Sequence, residues 1–170
     1  LKAVDGKNGA LIWDYKYEKY DDDSILRYAR YNFNNGAVVP DQNNDGVNDL
    51  LMINGGNSLA APYSEKDRFP GVLILFDAKT GNVIAADTMP DGKESYMTPA
   101  CFSQPGSKDP FILFGTGGET IDGKLFLATL SQLREKKLSS AEVIANEKGH
   151  GFIAPATLAD IDKDGYIDII

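Results

Sequence analysis

Cysteine, histidine and tryptophan each occur once in 170 residues. A single cysteine, Cys101, excludes an internal disulfide, and its place in an apolar run reads as a small buried hydrophobe. A lone histidine, His150, and one distant cysteine do not assemble a zinc site, which draws several nitrogen and sulfur ligands together. No Ser/His/Asp set is legible around that histidine, and no pair of carboxylates stands apart from two acidic loops. No apolar run reaches the ~18 residues of a spanning helix, so no membrane span is expected in this segment, and no signal peptide pattern is legible. Basic residues are in deficit, with 17 Lys and Arg against 25 Asp and Glu for a net charge of −8. A nucleic-acid binder carries a basic face, so nucleic acid is not an expected partner.

What is present is acid in a fixed spacing. The stretch DQNNDGVND puts oxygen side chains at positions 1, 3, 5 and 9, which are Asp41, Asn43, Asp45 and Asp49, with Gly46 at position 6. DIDKDGYID repeats it with Asp160, Asp162, Asp164, Asp168 and Gly165. A hard cation such as Ca²⁺ takes six to eight oxygens at roughly 2.3–2.6 Å, and a short loop wrapped round the ion supplies most of them. The residue at position 7, Val47 or Tyr166, offers its carbonyl. Seven carboxylates crowded into two nonapeptides repel one another without a cation. The spacing therefore predicts two Ca²⁺ ions, one per loop. Metal-free Asp/Asn/Gly hairpin turns are the alternative, since these residues favour turns in any case.

An EF-hand requires Glu at position 12 and flanking helices, whereas position 12 of the first loop is Met52. The flanks are short, partly β-branched apolar runs: Ala37–Val39 leads in and Leu50–Ile53 leads out to Asn54-Gly55-Gly56. Such runs read as buried strands. The unit strand–DxDxDGxxD–strand, over residues 36–56 and 151–170, resembles the FG-GAP (integrin α-type, VCBS-like) repeat of calcium-binding β-propellers.

The rest of the chain repeats on the same plan. LKAVDGKNGALIW (1–13) and LILFDAKTGNVIAADT (73–88) each read as strand, tight turn at Asp5–Gly9 or Asp77–Gly81, and strand. Trp13, eight residues after Asp5, makes the first hairpin similar to pyrroloquinoline-quinone-type propeller repeats, where this Trp packs between blades. Ala85 stands at the matching place in the second hairpin. Residues 96–130 follow the plan again, with Pro110–Phe114 matching Asp49–Ile53 and KLFLATL (124–130) matching Val72–Phe76. There the loop has become SQPGSKDP (103–110), which lacks the carboxylate spacing, and no ion is expected in it. Loop starts at Asp41, Ser103 and Asp160 give a period of about 60 residues, which suits a four-stranded propeller blade.

The expected fold is all-β: a propeller of four-stranded antiparallel blades, with 1–20 a half blade, 36–88 and 96–146 full blades, and 151–170 an opening half. A propeller closes with four to eight blades, so a segment of a larger one is expected. A β-sandwich or solenoid with calcium hairpins is the other architecture in view. Between the hairpins, alternation at Trp13, Tyr15 and Tyr17 extends a strand, and Ser24 caps a helical turn over 24–31. The aromatic cluster of Tyr15, Tyr17, Tyr20, Tyr28, Tyr31 and Phe33 is either a binding surface or packing at a blade edge. Residues 57–70 read as a surface loop, 131–137 as a short amphipathic helix, and Val143–Ala145 as an edge strand. The glycines at 115, 117 and 118 lack the Gly-Lys-Ser/Thr ending of a phosphate loop.

The FG-GAP resemblance implies an extracellular, cell-surface or periplasmic calcium-stabilised module for adhesion, scaffolding or binding of a protein or glycan ligand, rather than an enzyme. A carbohydrate-active enzyme (polysaccharide lyase or hydrolase) is the alternative on the same fold, and a quinone-dependent dehydrogenase a weaker one.

Overall fold

A computed structural model describes the whole chain except Tyr31, Asn35 and Ser58. Almost all of its regular structure is antiparallel β. A first hairpin pairs β1 (Lys2–Val4) with β2 (Leu11–Asp14). A four-stranded meander follows, in the order β3 (Ala37–Val39), β4 (Asp49–Asn54), β5 (Val72–Phe76) and β6 (Val83–Thr88). The plan recurs in β7 (Ala100–Phe102), β8 (Phe111–Gly115), β9 (Gly123–Thr129) and β10 (Glu142–Glu147). A last hairpin pairs β11 (Leu158–Ala159) with β12 (Asp168–Ile169).

The apolar runs are strands because both faces of the middle sheets are covered. Alternate side chains of a strand point to opposite faces. Leu51, Ile53, Leu73 and Leu75 of the first meander meet Ile112, Phe114, Phe126 and Ala128 of the second in one fully enclosed core. Their neighbours Met52, Val72, Ile74 and Phe76 face the other way, onto Tyr15, Leu26 and Ala29. On its far face the second meander sets Leu113 and Leu125, with Met97 just before it, against Leu158 and Ile169 of the last hairpin and Phe152 ahead of that hairpin. The molecule is thus a stack of sheets in chain order. Burying one Leu or Phe side chain contributes roughly 1.5–3 kcal/mol, and truncating one at the centre of the stack costs more because a cavity remains.

The two tight turns are copies in bonding as well as in sequence. Gly9 N donates to Asp5 O and Gly81 N to Asp77 O, at 2.7 and 2.8 Å. In each, the Asp Oδ1 accepts from the amide two residues on, Lys7 or Lys79. Trp13 lies over the second of these turns: its Nε1 donates to Ala78 O at 2.8 Å, and its ring closes the space a Cβ at Gly81 would need. Gly81 also holds φ of +76°, so two constraints select glycine there. Ala85, the counterpart of Trp13, lies instead in the core between the meanders with Leu130, Leu133 and Leu138. Leu130 and Leu133 belong to α1 (Leu130–Arg134), which begins at a capping box of Thr129 and Gln132.

Several local expectations are corrected. The strand of Trp13 ends at Asp14, and Tyr17–Tyr20 forms a 3₁₀ turn, because Tyr15 turns inward to stack on Tyr20 and meet Phe76 edge-on. Tyr15 is 7 % exposed, so it serves packing rather than a binding surface. The helical turn over 24–31 is only Leu26–Tyr28; no side chain caps it at Ile25, and the Oδ1 of Asp23 accepts from the amides of Ile25 and Leu26 at its start. Ser24 does not cap it because the carboxylate one residue earlier reaches both amides, which hold the Asp23 carboxyl below the usual range. Tyr31, counted in the aromatic cluster, lies outside the described residues. The helix expected over 131–137 is α1, which begins one residue earlier and ends three residues earlier, and a 3₁₀ turn at Leu138–Ser140 follows it. Cys101 is half-buried against the central core, and burial raises its thiol pKa.

Candidate metal centre

The two acidic loops join β3 to β4 and β11 to β12, so strands flank both of them. Their internal bonding follows one scheme, with two more amides on the first aspartate of the first loop. In the first, Asp41 reaches across the loop: Oδ1 accepts from the amides of Asn43, Asn44 and Asp45, and Oδ2 from Gly46 at 2.8 Å. In the second, Asp160 Oδ1 accepts from Asp164 N and Oδ2 from Gly165 N at 3.0 Å. Position 3 accepts from the amide of position 5 in each, Asn43 from Asp45 and Asp162 from Asp164. Position 5 accepts from position 7, Asp45 from Val47 and Asp164 from Tyr166, both at 2.8 Å. Position 9 closes the ring: Asp49 Oδ2 accepts from Gln42 N, and Asp168 Oδ2 from Ile161 N.

Backbone conformation repeats as well. Positions 4 and 6 are left-handed in both, with φ of 63° at Asn44 and 84° at Gly46, and 64° at Lys163 and 93° at Gly165. These two residues turn the chain back on itself, and among the described residues side chains 1, 3 and 9 of the second loop converge, without Asp164, while the three carboxylates of the first loop form no such group. In the second loop, carboxylate oxygens of Asp160, Asp162 and Asp168 all lie within 4.8 Å of one another. The side chains of Val47 and Tyr166 are 39 % and 51 % exposed, so any ligand from position 7 is its backbone carbonyl.

One atom of the first loop is incompletely served by protein. Asp49 is 1 % exposed, and its Oδ1 is buried without a hydrogen-bond partner. Burial raises this carboxyl; the Gln42 amide pulls it down, and the charges of Asp41 and Asp77 push it up again. The Ala78 amide is near enough to lower it slightly without closing a bond to Oδ1. Asp41, by contrast, is held below the usual carboxylate range, chiefly by the Gly46 amide. A buried, unpaired carboxylate oxygen costs free energy unless a cation or proton joins it, so the donor set fits a hard cation. Lys79 Nζ is 3.7 Å from Asp45 Oδ2 at the rim.

The turn in SQPGSKDP has different bonding. Ser107 N donates to Gln104 O, and the Ser107 hydroxyl donates to Asp109 O. Gln104 clasps the last hairpin, donating to Ile167 O and accepting from Ile167 N, both at 2.8 Å.

At the opposite end of the sheets lies a site that the sequence reading passed over. Glu94, 3 % exposed, pairs through Oε1 with Arg68 Nη1, while its Oε2 is buried without a partner. With Tyr96, Glu119 and Ile153 it lines a cavity of about 320 Å³. Burial, followed by the Glu94 charge and the pull of the Glu94 carboxylate on the hydroxyl proton, pushes the Tyr96 phenol up to about 12. The residues come from three connections far apart in sequence and match no local motif. The available signal was the glycines at 117 and 118: a Cβ on Gly118 would stand 2.6 Å from Glu94 Oε1. Comparison with family models, with curated proteins and with solved structures finds no match for this chain.

Proposed function

We propose that the chain is a segment of a calcium-stabilised β-propeller of the FG-GAP kind, a non-catalytic binding or scaffold module working outside the cell or in the periplasm. Its stacked sheets are the blades. Asp41, Asn43, Asp45 and Asp49, with the Val47 carbonyl, hold one Ca²⁺; Asp160, Asp162, Asp164 and Asp168, with the Tyr166 carbonyl, hold the other. The bound ion supplies positive charge to carboxylates that otherwise repel, and so fixes the turn between two strands. The observation that carries the reading is the repetition of one bonding scheme in two loops, one of which retains a buried, unpartnered Asp49 Oδ1. Millimolar calcium outside cells suits loops of modest affinity, in the ~10⁻⁴–10⁻³ M range of extracellular modules.

The two surface loops considered for ligand meet in space, which supports a binding role. Tyr28 and Phe69 pack with ring centroids 5.8 Å apart, and with Asp21, Arg27 and Arg30 they line a concavity of about 430 Å³. Tyr28 and Phe69 are thus the aromatic anchors for a protein or glycan ligand. Calorimetric titration of the chelated protein with calcium tests the metal reading, with two ions expected in wild type and one in either Asp45→Ala or Asp164→Ala. Retention of both ions in either variant would remove the assignment.

A further inference from the structure

The cavity beside Glu94 is built from connections that leave the sheets at the end away from the acidic loops. Residues 89–99 link β6 to β7, 116–122 join β8 to β9 and 148–157 link β10 to β11, while 55–71, which follow β4, bring Arg68 to Glu94. They are tied to one another by backbone bonds: Gly117 N donates to Glu94 O, and Gly71 N to Lys93 O, both at 2.8 Å. The Ser95 hydroxyl donates to Gly115 O at 2.6 Å. Glu94 is therefore held in a fixed place at the junction of the two meanders.

Among the described residues Arg68 is the one guanidinium bonded to Glu94, and each of its nitrogens is engaged by the protein. Nε donates to Ser64 O, Nη2 to Ala61 O at 2.9 Å, and Nη1 to Glu94 Oε1. It anchors its own loop and balances one carboxylate, so it is not a receptor for an anion. The polar groups at the cavity are the Glu119 carboxylate, the Tyr96 hydroxyl and the Glu94 carboxylate, whose buried Oε2 closes no protein hydrogen bond of good geometry although the Tyr96 hydroxyl is near enough to act on the carboxylate. With two carboxylates and one balancing guanidinium, the site keeps a net negative charge. The Tyr96 ring and Ile153 supply the apolar part of the wall.

We propose that this cavity is a binding site for a primary alkylammonium group, either a small amine or the end of a lysine side chain. An ammonium carries three donors and no acceptor, which suits a wall of two carboxylates and one hydroxyl oxygen. Its charge compensates the carboxylate that Arg68 leaves half-satisfied, and its alkyl stem lies against Tyr96 and Ile153. The volume is at the lower end of the ~300–1,000 Å³ usual for small-molecule sites, which suits an amine of a few carbons. The proposal does not rest on the calcium reading, because its residues belong to the other end of the sheets.

The test is titration of the ¹⁵N-labelled 170-residue chain, at fixed calcium, with n-butylamine, n-butanol and butyrate near neutral pH. Butylammonium is expected to shift the amides of 94–96, 118–119 and 153, with millimolar affinity. Butanol should bind at least tenfold more weakly and butyrate not at all. Glu119→Gln, in an exposed turn, should weaken the amine at least threefold, and Glu94→Gln at least tenfold. Glu135→Gln, in an exposed ion pair with Lys137, should leave it unchanged. Should Glu94→Gln fail to fold, Tyr96→Phe and Glu119→Gln decide the matter. Shifts spread over the surface, equal binding of butanol, or unchanged affinity in these variants would each overturn the proposal. Calcium stoichiometry, measured separately, should be the same in all of them.

Discussion

The loops at 41–49 and 160–168 share a hydrogen-bond scheme and a pair of left-handed residues, yet they sit in different surroundings. Asp49 begins a strand at the edge of the central core and is 1 % exposed, whereas Asp168 belongs to a two-stranded hairpin and is only half-buried. The first loop has three carboxylates and an asparagine with Lys79 at its rim; the second has four carboxylates. Local sequence therefore sets the conformation of the loop, while its place in the stack sets the cost of leaving its charges unmatched. Water screens the second loop. Only a cation or a proton relieves the first.

The largest consequence is for calcium removal. With calcium at about tenfold excess over its dissociation constant, each site contributes ~1.4 kcal/mol, so chelation should cost wild type nearly 3 kcal/mol. The melting temperature of the Asp45→Ala/Asp164→Ala double variant should hardly respond to chelator. A full response there would place the stabilising ions elsewhere.

Next in size is a reversal of sign at Asp49. Asp49→Asn keeps an oxygen for the Gln42 amide but removes the buried charge. In calcium it should destabilise by ~1 kcal/mol or more through lost binding, and in chelator it should be neutral or stabilising. Asp168→Asn should lose as much in calcium and gain little in chelator. Chemical denaturation of the two variants with and without calcium measures the difference, and equal behaviour would erase the contrast between the loops.

Gly46→Ala and Gly165→Ala should cost about 1 kcal/mol each, and by the same amount, because both positions have left-handed φ and open space around the missing Cβ. Unequal costs would mean that the surroundings, and not the turn alone, dictate these backbones. The smallest effect is expected from Asn43→Asp, which gives the first loop the carboxylate count of the second. Calcium affinity should rise only a few fold, since added attraction is offset by repulsion in the free loop.

The elements legible in sequence were those fixed by short-range rules. Apolar runs such as VLILF at 72–76 bounded by Gly71 and Asp77 could only be interior strands, and they are. The Asp-x-x-x-Gly turns and the DxDxDGxxD spacing have their conformation written in adjacent residues, as the hydrogen bonds shared by the two copies of each show. Tyr15 was misread because alternation continues past Trp13 on paper, while Phe76, more than sixty residues away, draws its ring inward. Ser24 does not cap the following turn because Asp23, one residue earlier, already holds the amides of Ile25 and Leu26. Glu94 and Arg68 were invisible for the same kind of reason: they lie 26 residues apart in two irregular connections, and only the stacking of the meanders brings Tyr96 and Glu119 beside them.

The measurement that tests the central claim most directly is calcium stoichiometry at equilibrium, by dialysis of the 170-residue chain against millimolar ⁴⁵Ca²⁺ in excess magnesium. The account predicts two ions per chain, falling to one in Asp49→Ala or Asp168→Ala and to none in the double variant. No calcium bound, or two ions still bound in the double variant, would contradict it.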